Sequence, residues 1–210
     1  MTISGAELQN ITATGLTIGD ATSGNITVDG ISAANSDNIS GTVTLNATQD
    51  NASIVFSGSA STFNAVAANA DDGITVSVDI STDIGGFALE GDADNAVDTN
   101  DNIAIAAGRT LSSFGNLVLD ATTGNITGAG DLTLNARSGL TVNDSVTTNG
   151  TTTLNADTNN NGSSVFTVAA GAAITTANNT LSITAEKMLL TGTLNSGAQA
   201  TTLLASNGAA

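Results

Sequence analysis

The tetrapeptide Thr133-Leu134-Asn135-Ala136 returns twenty residues later as Thr153-Leu154-Asn155-Ala156, and again as Thr193-Leu194-Asn195-Ser196. The slot between the last two holds Ala173-Ile174-Thr175-Thr176, which keeps an apolar residue in the Leu column. A fixed period near 20 residues, in a chain rich in strand formers, is a sign of stacked coils. On this register Phe114, Leu134, Leu154, Ile174 and Leu194 form one apolar column, with Asn135, Asn155 and Asn195 as a polar column beside it. Asn in the left-handed region at a turn can bond its counterpart above and below, so the polar column predicts a side-chain ladder.

The missing prolines fit the same picture. A chain of 210 residues would carry ~10 Pro at ordinary usage, and this one has none. In a solenoid nearly every strand residue gives its N–H to the next coil, and Pro has no N–H to give. Val, Ile and Leu are spread throughout, unlike in disordered chains. Five Phe are the only aromatics, so the core must be thin and built from small residues. Thr, Asn, Gly and Val weaken helices. The best helical stretch, Ala185 to Leu190, is too short to sustain itself.

A net charge of -16 argues against nucleic acid, whose phosphates need Lys and Arg, and against an anionic membrane surface. No run approaches ~18 apolar residues, so no membrane insertion by a spanning helix is expected. The opening Met1-Thr2-Ile3-Ser4-Gly5 has neither a basic n-region nor an apolar h-region, as expected of a mature chain or an internal piece with an added Met. The absence of Cys excludes a disulfide scaffold and suits an exported chain.

Along the chain, short apolar alternations sit between Gly-rich turns: Leu8 and Ile11, Leu16 and Ile18, then Ile26, Val28 and Ile31. Such spacing reads as an all-β array. The segment Asp20-Ala21-Thr22-Ser23-Gly24-Asn25-Ile26-Thr27 has an echo at Asp120-Ala121-Thr122-Thr123-Gly124-Asn125-Ile126-Thr127. Thr44-Leu45-Asn46-Ala47 follows the first copy at a longer distance than Thr133-Leu134-Asn135-Ala136 follows the second. The extra residues, near 31–40, are expected to form a loop or partial coil inserted at a turn. Nine of the 19 acids fall between Asp71 and Asp101, and a second inserted loop is expected near 91–102.

The Thr-Leu-Asn-Ala runs, the Gly-Asn-Ile-Thr turns and Leu181-Ser182-Ile183-Thr184-Ala185 resemble the repeat shafts of filamentous-haemagglutinin-type exoproteins, large bacterial adhesins of the two-partner secretion class. The resemblance covers essentially the whole chain and rests on repeat style. It implies a right-handed parallel β-helix, export through an outer-membrane transporter, and adhesion or surface display. The family's N-terminal secretion domain carries Asn-Pro motifs. A chain without Pro would be a piece of shaft lacking that domain.

Several residues are candidates for chemistry. Asp157-Thr158-Asn159-Asn160-Asn161-Gly162 matches the opening of a calcium loop, with oxygens at alternate positions and Gly at the sixth. The twelfth position is Val168, where a bidentate Glu is required, so a solvated turn is the competing reading. Asp92, Asp94, Asp98 and Asp101 could supply carboxylates to one Ca²⁺, or form an exposed loop that aids solubility. Ten Asn-x-Ser/Thr sequons occur, among them Asn10, Asn46 and Asn125, as this composition supplies by chance. For an enzyme the sequence offers no His, Tyr or Cys for acid–base or nucleophilic work. Arg109 and Lys187 are expected at a similar coil position about four coils apart, too far to meet on one sugar. Paired carboxylates remain open for glycoside hydrolysis. An ice-binding face would need a continuous Thr-x-Thr ladder, and on the twenty-residue register Thr151/Thr153 and Thr191/Thr193 align but the coil between them does not.

The expected architecture is all-β: a right-handed parallel β-helix (solenoid) with ~20-residue coils, 8 to 10 of them over about 40 to 50 Å. Residues 1–210 are read as one segment of a longer repeat protein. Neither end shows a capping helix or polar cap, so open strand edges invite pairing with other chains. The expected function is a non-catalytic structural or adhesive shaft, extracellular or on the cell surface. Its partners would be a host or neighbouring-cell surface, or other copies of itself. The alternative is a self-assembling filament subunit that exchanges a strand or stacks end to end. A carbohydrate-active β-helix enzyme comes third.

Overall fold

The computed structural model describes residues 4–206. The chain is a β-solenoid of about 8 turns. After the first, each turn lays one short strand on each of three parallel sheets, of eight, eight and seven strands. The first sheet runs from Leu16–Asp20 to Lys187–Leu190, the second from Ile26–Asp29 to Thr193–Asn195, and the third from Ser61–Phe63 to Thr201–Ala205.

Strands of three to six residues suffice here because alternate residues point inward. Leu132–Ala136 is typical, with Leu132, Leu134 and Ala136 buried and Thr133 and Asn135 half-buried. Stacking these strands in register makes apolar columns. In the second sheet Ile26, Ile54, Ile74, Ile103, Ile126, Val146, Ile174 and Leu194 lie one on another. In the first sheet the column is Val43, Val66, Phe87, Leu117, Leu140, Phe166 and Met188. Four of the five Phe are buried in the core.

The coil averages about 23 residues, not 20, and the expected column is a splice of two. Leu134 does pair with Leu154. Leu154 then pairs with Ile183 in the third sheet, while Ile174 and Leu194 pair with each other in the second. Phe114 is in no column: it is 40% exposed, and the Arg137 guanidinium lies over its ring at 4.0 Å. The partner below Leu134 is Leu111. The physical reason is that a strand's length is held by its neighbours, whereas a corner can take extra residues. Ile54 to Ile74 spans 20 residues and Ile74 to Ile103 spans 29.

Two four-residue helices, Gly5–Leu8 and Ala33–Ser36, take the third-sheet position in the first turns. They pack on each other, and the second packs on Ser61–Phe63. Ser4 closes a capping box on the first: its backbone N–H donates to Glu7 Oε2 at 2.8 Å, and its Oγ accepts from the Glu7 amide at 3.3 Å. In the second, the Ser32 amide and hydroxyl both donate to Asn35 Oδ1. Residues 31–40, expected as a loop or partial coil, contain this helical turn, which takes the third-sheet position of the coil. The N-terminal helix buries Leu8 in the core, only 2% exposed, so the first turns do carry a helix, contrary to expectation. The stretch Ala185 to Leu190, the best helical candidate, is instead the end of one strand, Leu181–Ala185, and the whole of the next, Lys187–Leu190, divided at Glu186.

The register makes a direct prediction. Leu111→Ala removes a fully buried column residue and should cost ~2–5 kcal/mol in urea unfolding. Phe114→Ala removes an exposed ring and its cation contact and should cost no more than ~1 kcal/mol. Equal losses would contradict the columns.

Candidate functional site

The corner between the first and second sheets concentrates the acids. A polar column ends the first-sheet strands there: Asn46, Asn69, Glu90 and Asp120 are successive backbone partners. Asn69 Nδ2 donates to Asn46 Oδ1 at 2.8 Å, and Asn143 Nδ2 donates to Asp120 Oδ2 at 2.6 Å. So an amide ladder exists, but carboxylates replace amides in its middle. The expected ladder at Asn135, Asn155 and Asn195 does not form: Asn135 and Asn155 are backbone partners within strands, and Asn195 lies beside Thr175 in another sheet. The left-handed asparagines are Asn51, Asn95, Asn160 and Asn178, in turns and loops between strands.

Stacking carboxylates shifts their protonation. Burial pushes the Glu90 carboxyl up to about 7, against a hydrogen bond from the Asp92 amide and helped by the charges of Asp120, Asp92 and Asp144. Asp144 is likewise raised, first by burial, although the Ala121 amide donates to it.

Residues 91–102 form the longest first-to-second corner and fold back over the stack. Two close approaches seat the loop. A Cβ on Gly73, whose φ is +90°, would lie 2.2 Å from the Asn100 carbonyl oxygen, and one on Gly124 would lie 2.0 Å from that of Asp101. Thr123 ties the loop to the following coil. Its amide donates to Asp92 Oδ2 at 2.7 Å, and its hydroxyl reaches Asp101 Oδ2 at 2.8 Å and the Ala96 carbonyl at 3.0 Å. Asp92 and Asp101 are 0% and 4% exposed, and the Oδ1 of each is buried without a hydrogen-bond partner.

The four loop acids do not converge on one point. Asp98 instead meets Asp50 and Asp71 from the two preceding coils, with one carboxylate oxygen of each within 4.8 Å of the others. Asp71 is buried and accepts the Asn51 amide at 2.7 Å. Its pKa is raised, chiefly by burial and then by Asp94, Asp50 and Asp72 against that hydrogen bond. Asp98 is raised by desolvation and then by Asp71, Asp101, Asp94 and Asp50. Asp94 itself accepts the Ala96 amide at 2.8 Å. Asp92 and Asp101 turn to Thr123. Sequence reasoning missed Asp50 and Asp71 because only the coil register brings them to Asp98.

Asp157 stands apart, on a corner between the third and first sheets. Burial would raise its pKa, but hydrogen bonds from Ser206, Gly162, Asn161 and Ser164 outweigh that and lower it. Both oxygens are occupied, Oδ1 by the Asn161 amide and the Ser164 hydroxyl, Oδ2 by the Gly162 amide and the Ser206 hydroxyl. The loop that resembles a calcium site closes on a carboxylate that holds backbone and hydroxyl groups. Arg109 and Lys187 lie in different sheets, not at a shared coil position. Arg109 lies 3.7 Å from Asp79.

No protein-family model, curated protein or solved structure matches the chain.

Glu90 sets a pH dependence. Its folded pKa lies above the ordinary carboxylate value of 4.5, so between about pH 4.5 and 7 the folded state holds a proton that the unfolded chain releases. Stability therefore falls as pH rises through that window. The lowered Asp157 works the other way, losing its contribution as pH drops below the usual Asp value of 3.8. In EDTA, the melting temperature should be higher at pH 5 than at pH 8, and Glu90→Gln should flatten that difference.

Proposed function

We propose that the chain is a non-catalytic structural and adhesive shaft of a secreted or surface-displayed bacterial exoprotein, of the filamentous-haemagglutinin type its repeats resemble. The observation that carries this reading is the parallel register of three sheets, two continuous through eight strands and the third through seven. Such a stack is a rod of about 35 to 40 Å, and each coil contacts only its neighbours, so length can be added without redesign.

The third sheet supplies an outer face for contact. Thr110, Thr133, Thr153, Ser182 and Thr202 are successive partners along it. Beside them run Ser112, Asn135, Asn155 and Thr184. This array of hydroxyls and amides repeats every coil, at ~4.8 Å. It suits a host or neighbouring-cell surface rich in hydroxyls, met through many weak hydrogen bonds whose avidity exceeds any one of them. Beads coated with the chain should adhere to such cells above an uncoated control, and Thr133→Lys with Thr153→Lys should abolish the excess. Adhesion no better than control would remove the adhesive part of the reading.

A second reading, association between copies, is favoured by the last coil. Leu189, Leu190, Leu203 and Leu204 are 38 to 50% exposed, and Leu190 and Leu203 continue inward columns above Val168 and Ile183. Apolar side chains grouped on open strand edges favour end-to-end stacking of copies. Sedimentation should show concentration-dependent association that Leu190→Glu with Leu203→Glu abolishes. A monomer at all concentrations would remove this reading and leave the shaft.

A further inference from the structure

The chain carries three Asn-Gly pairs. Asn149-Gly150 and Asn161-Gly162 are within the described residues, and Asn207-Gly208 lies outside them. In such a pair the backbone nitrogen after the Asn can attack the Asn side-chain amide, and Gly has no Cβ to hinder it. The two described pairs differ sharply in how their reacting groups are held.

Asn161-Gly162 is restrained on both sides of the reaction. The Gly162 amide, which would be the nucleophile, donates to Asp157 Oδ2 at 3.1 Å. Losing its proton there would set a second negative charge beside a carboxylate. Asn161 Oδ1 accepts the Ser163 amide at 3.2 Å and the Ser163 hydroxyl at 2.8 Å, which locks the side chain in an Asx turn. The Asn161 backbone is also fixed, with its amide donating to Asp157 Oδ1 at 3.2 Å.

Asn149-Gly150 has none of these side-chain restraints. It lies in the corner between Val146–Thr148 of the second sheet and Thr152–Asn155 of the third. Asn149 is exposed, and its backbone N–H donates to the Gly128 carbonyl at 3.1 Å. Its side chain and the Gly150 N–H have no hydrogen-bond partner among the described residues. The corner also requires the unhindered residue, because a Cβ at Gly150 would lie 2.3 Å from the Asp131 backbone nitrogen.

We propose that Asn149 is a self-modification site that converts, in the folded protein, to aspartate and isoaspartate. Hydroxide takes the Gly150 amide proton, and the nitrogen bonds to Asn149 Cγ. The Cγ–Nδ2 bond breaks, and the side-chain nitrogen takes a proton from water and leaves as ammonia. The product is a five-membered succinimide. Water then opens the ring. Addition at Cγ gives aspartate, and addition at the main-chain carbonyl carbon gives isoaspartate, whose backbone runs through the former side chain. No oxidant or catalyst is needed. Either product adds a negative charge to a corner that already holds Asp131, and isoaspartate also lengthens that corner by one backbone atom. The site is independent of the adhesive reading.

The test incubates the full chain in mildly alkaline buffer, folded and in denaturing urea, and samples it over time. Trypsin cuts after Arg137 and Lys187, so one peptide, 138–187, carries both pairs. Fragment-ion mass spectrometry then locates the mass gain of amide exchanged for acid. In the folded chain Asn149 should convert at least ~10-fold faster than Asn161, the factor in rate that one hydrogen bond to a charged group is worth. In urea the two should convert at similar rates, because the difference comes from the fold. Asn149→Gln, whose longer side chain would have to close a six-membered ring, should remove the early product and leave Asn161 as it was. A folded chain with Asn149 intact after the unfolded chain has lost most of it would overturn the proposal. So would Asn161 converting as fast as Asn149 in the folded chain.

Discussion

Backbone pairing between coils is the constraint on which everything else in this molecule depends. The N–H and C=O groups of the strands lie along the solenoid axis and are satisfied by the coil before and the coil after. A residue that cannot donate would break two coils at once, which accounts for a chain without Pro. The same pairing fixes which side chains are neighbours. Once Leu134 sits on Leu111 and under Leu154, Thr133 and Asn135 must stack outside on Thr110 and Ser112. Core columns and surface arrays are two faces of one register.

That register also explains how a highly acidic chain tolerates carboxylates in a stack. Like charges repeated every ~4.8 Å repel, and the column at Asn46, Asn69, Glu90, Asp120 and Asn143 relieves this in three ways. Amides occupy its ends. Asn143 donates to Asp120. Burial and crowding favour the neutral form of Glu90, so a proton removes one charge. Asp157 shows a fourth solution, in which two amides and two hydroxyls surround a single buried carboxylate. The loop acids Asp92 and Asp101 are satisfied on one oxygen only.

How much of this was legible in the sequence follows from the same physics. Alternation and the absence of Pro are properties of every strand, so the parallel solenoid could be read directly. The register could not. Thr-Leu-Asn suits any of the three sheets, because all three ask for polar-out, apolar-in, polar-out. Leu134 and Leu154 therefore looked equivalent to Leu194, which lies on a different side of the coil. Corners carry no such pattern, and their variable length hides the period. The helices at Gly5–Leu8 and Ala33–Ser36 were missed because four residues are too few for helical periodicity. The signal that could have found them was the parallel between Ser4 and Ser32 followed by Asn10-Ile11 and Asn38-Ile39, at a common offset of 28.

The acids illustrate the limit of composition. Their crowding between Asp71 and Asp101 was plain, and so was the loop near 91–102. Which acids meet was not, since Asp98 finds its neighbours at Asp50 and Asp71, residues a full coil or more away in sequence. In a solenoid, proximity follows the coil count and not the chain. A long corner can reach back across several turns, and it does so here because Gly73 and Gly124 leave room for its backbone. The corner is thus a place where successive coils are joined by side chains as well as by their backbones. The later corners, at Ala169 and Thr191, carry no acid at all. Carboxylate linkage at this corner is therefore concentrated in the first two-thirds of the stack, while the last coils are joined at other corners, where Ser206 donates to Asp157 and the Ala198 amide to Asn178.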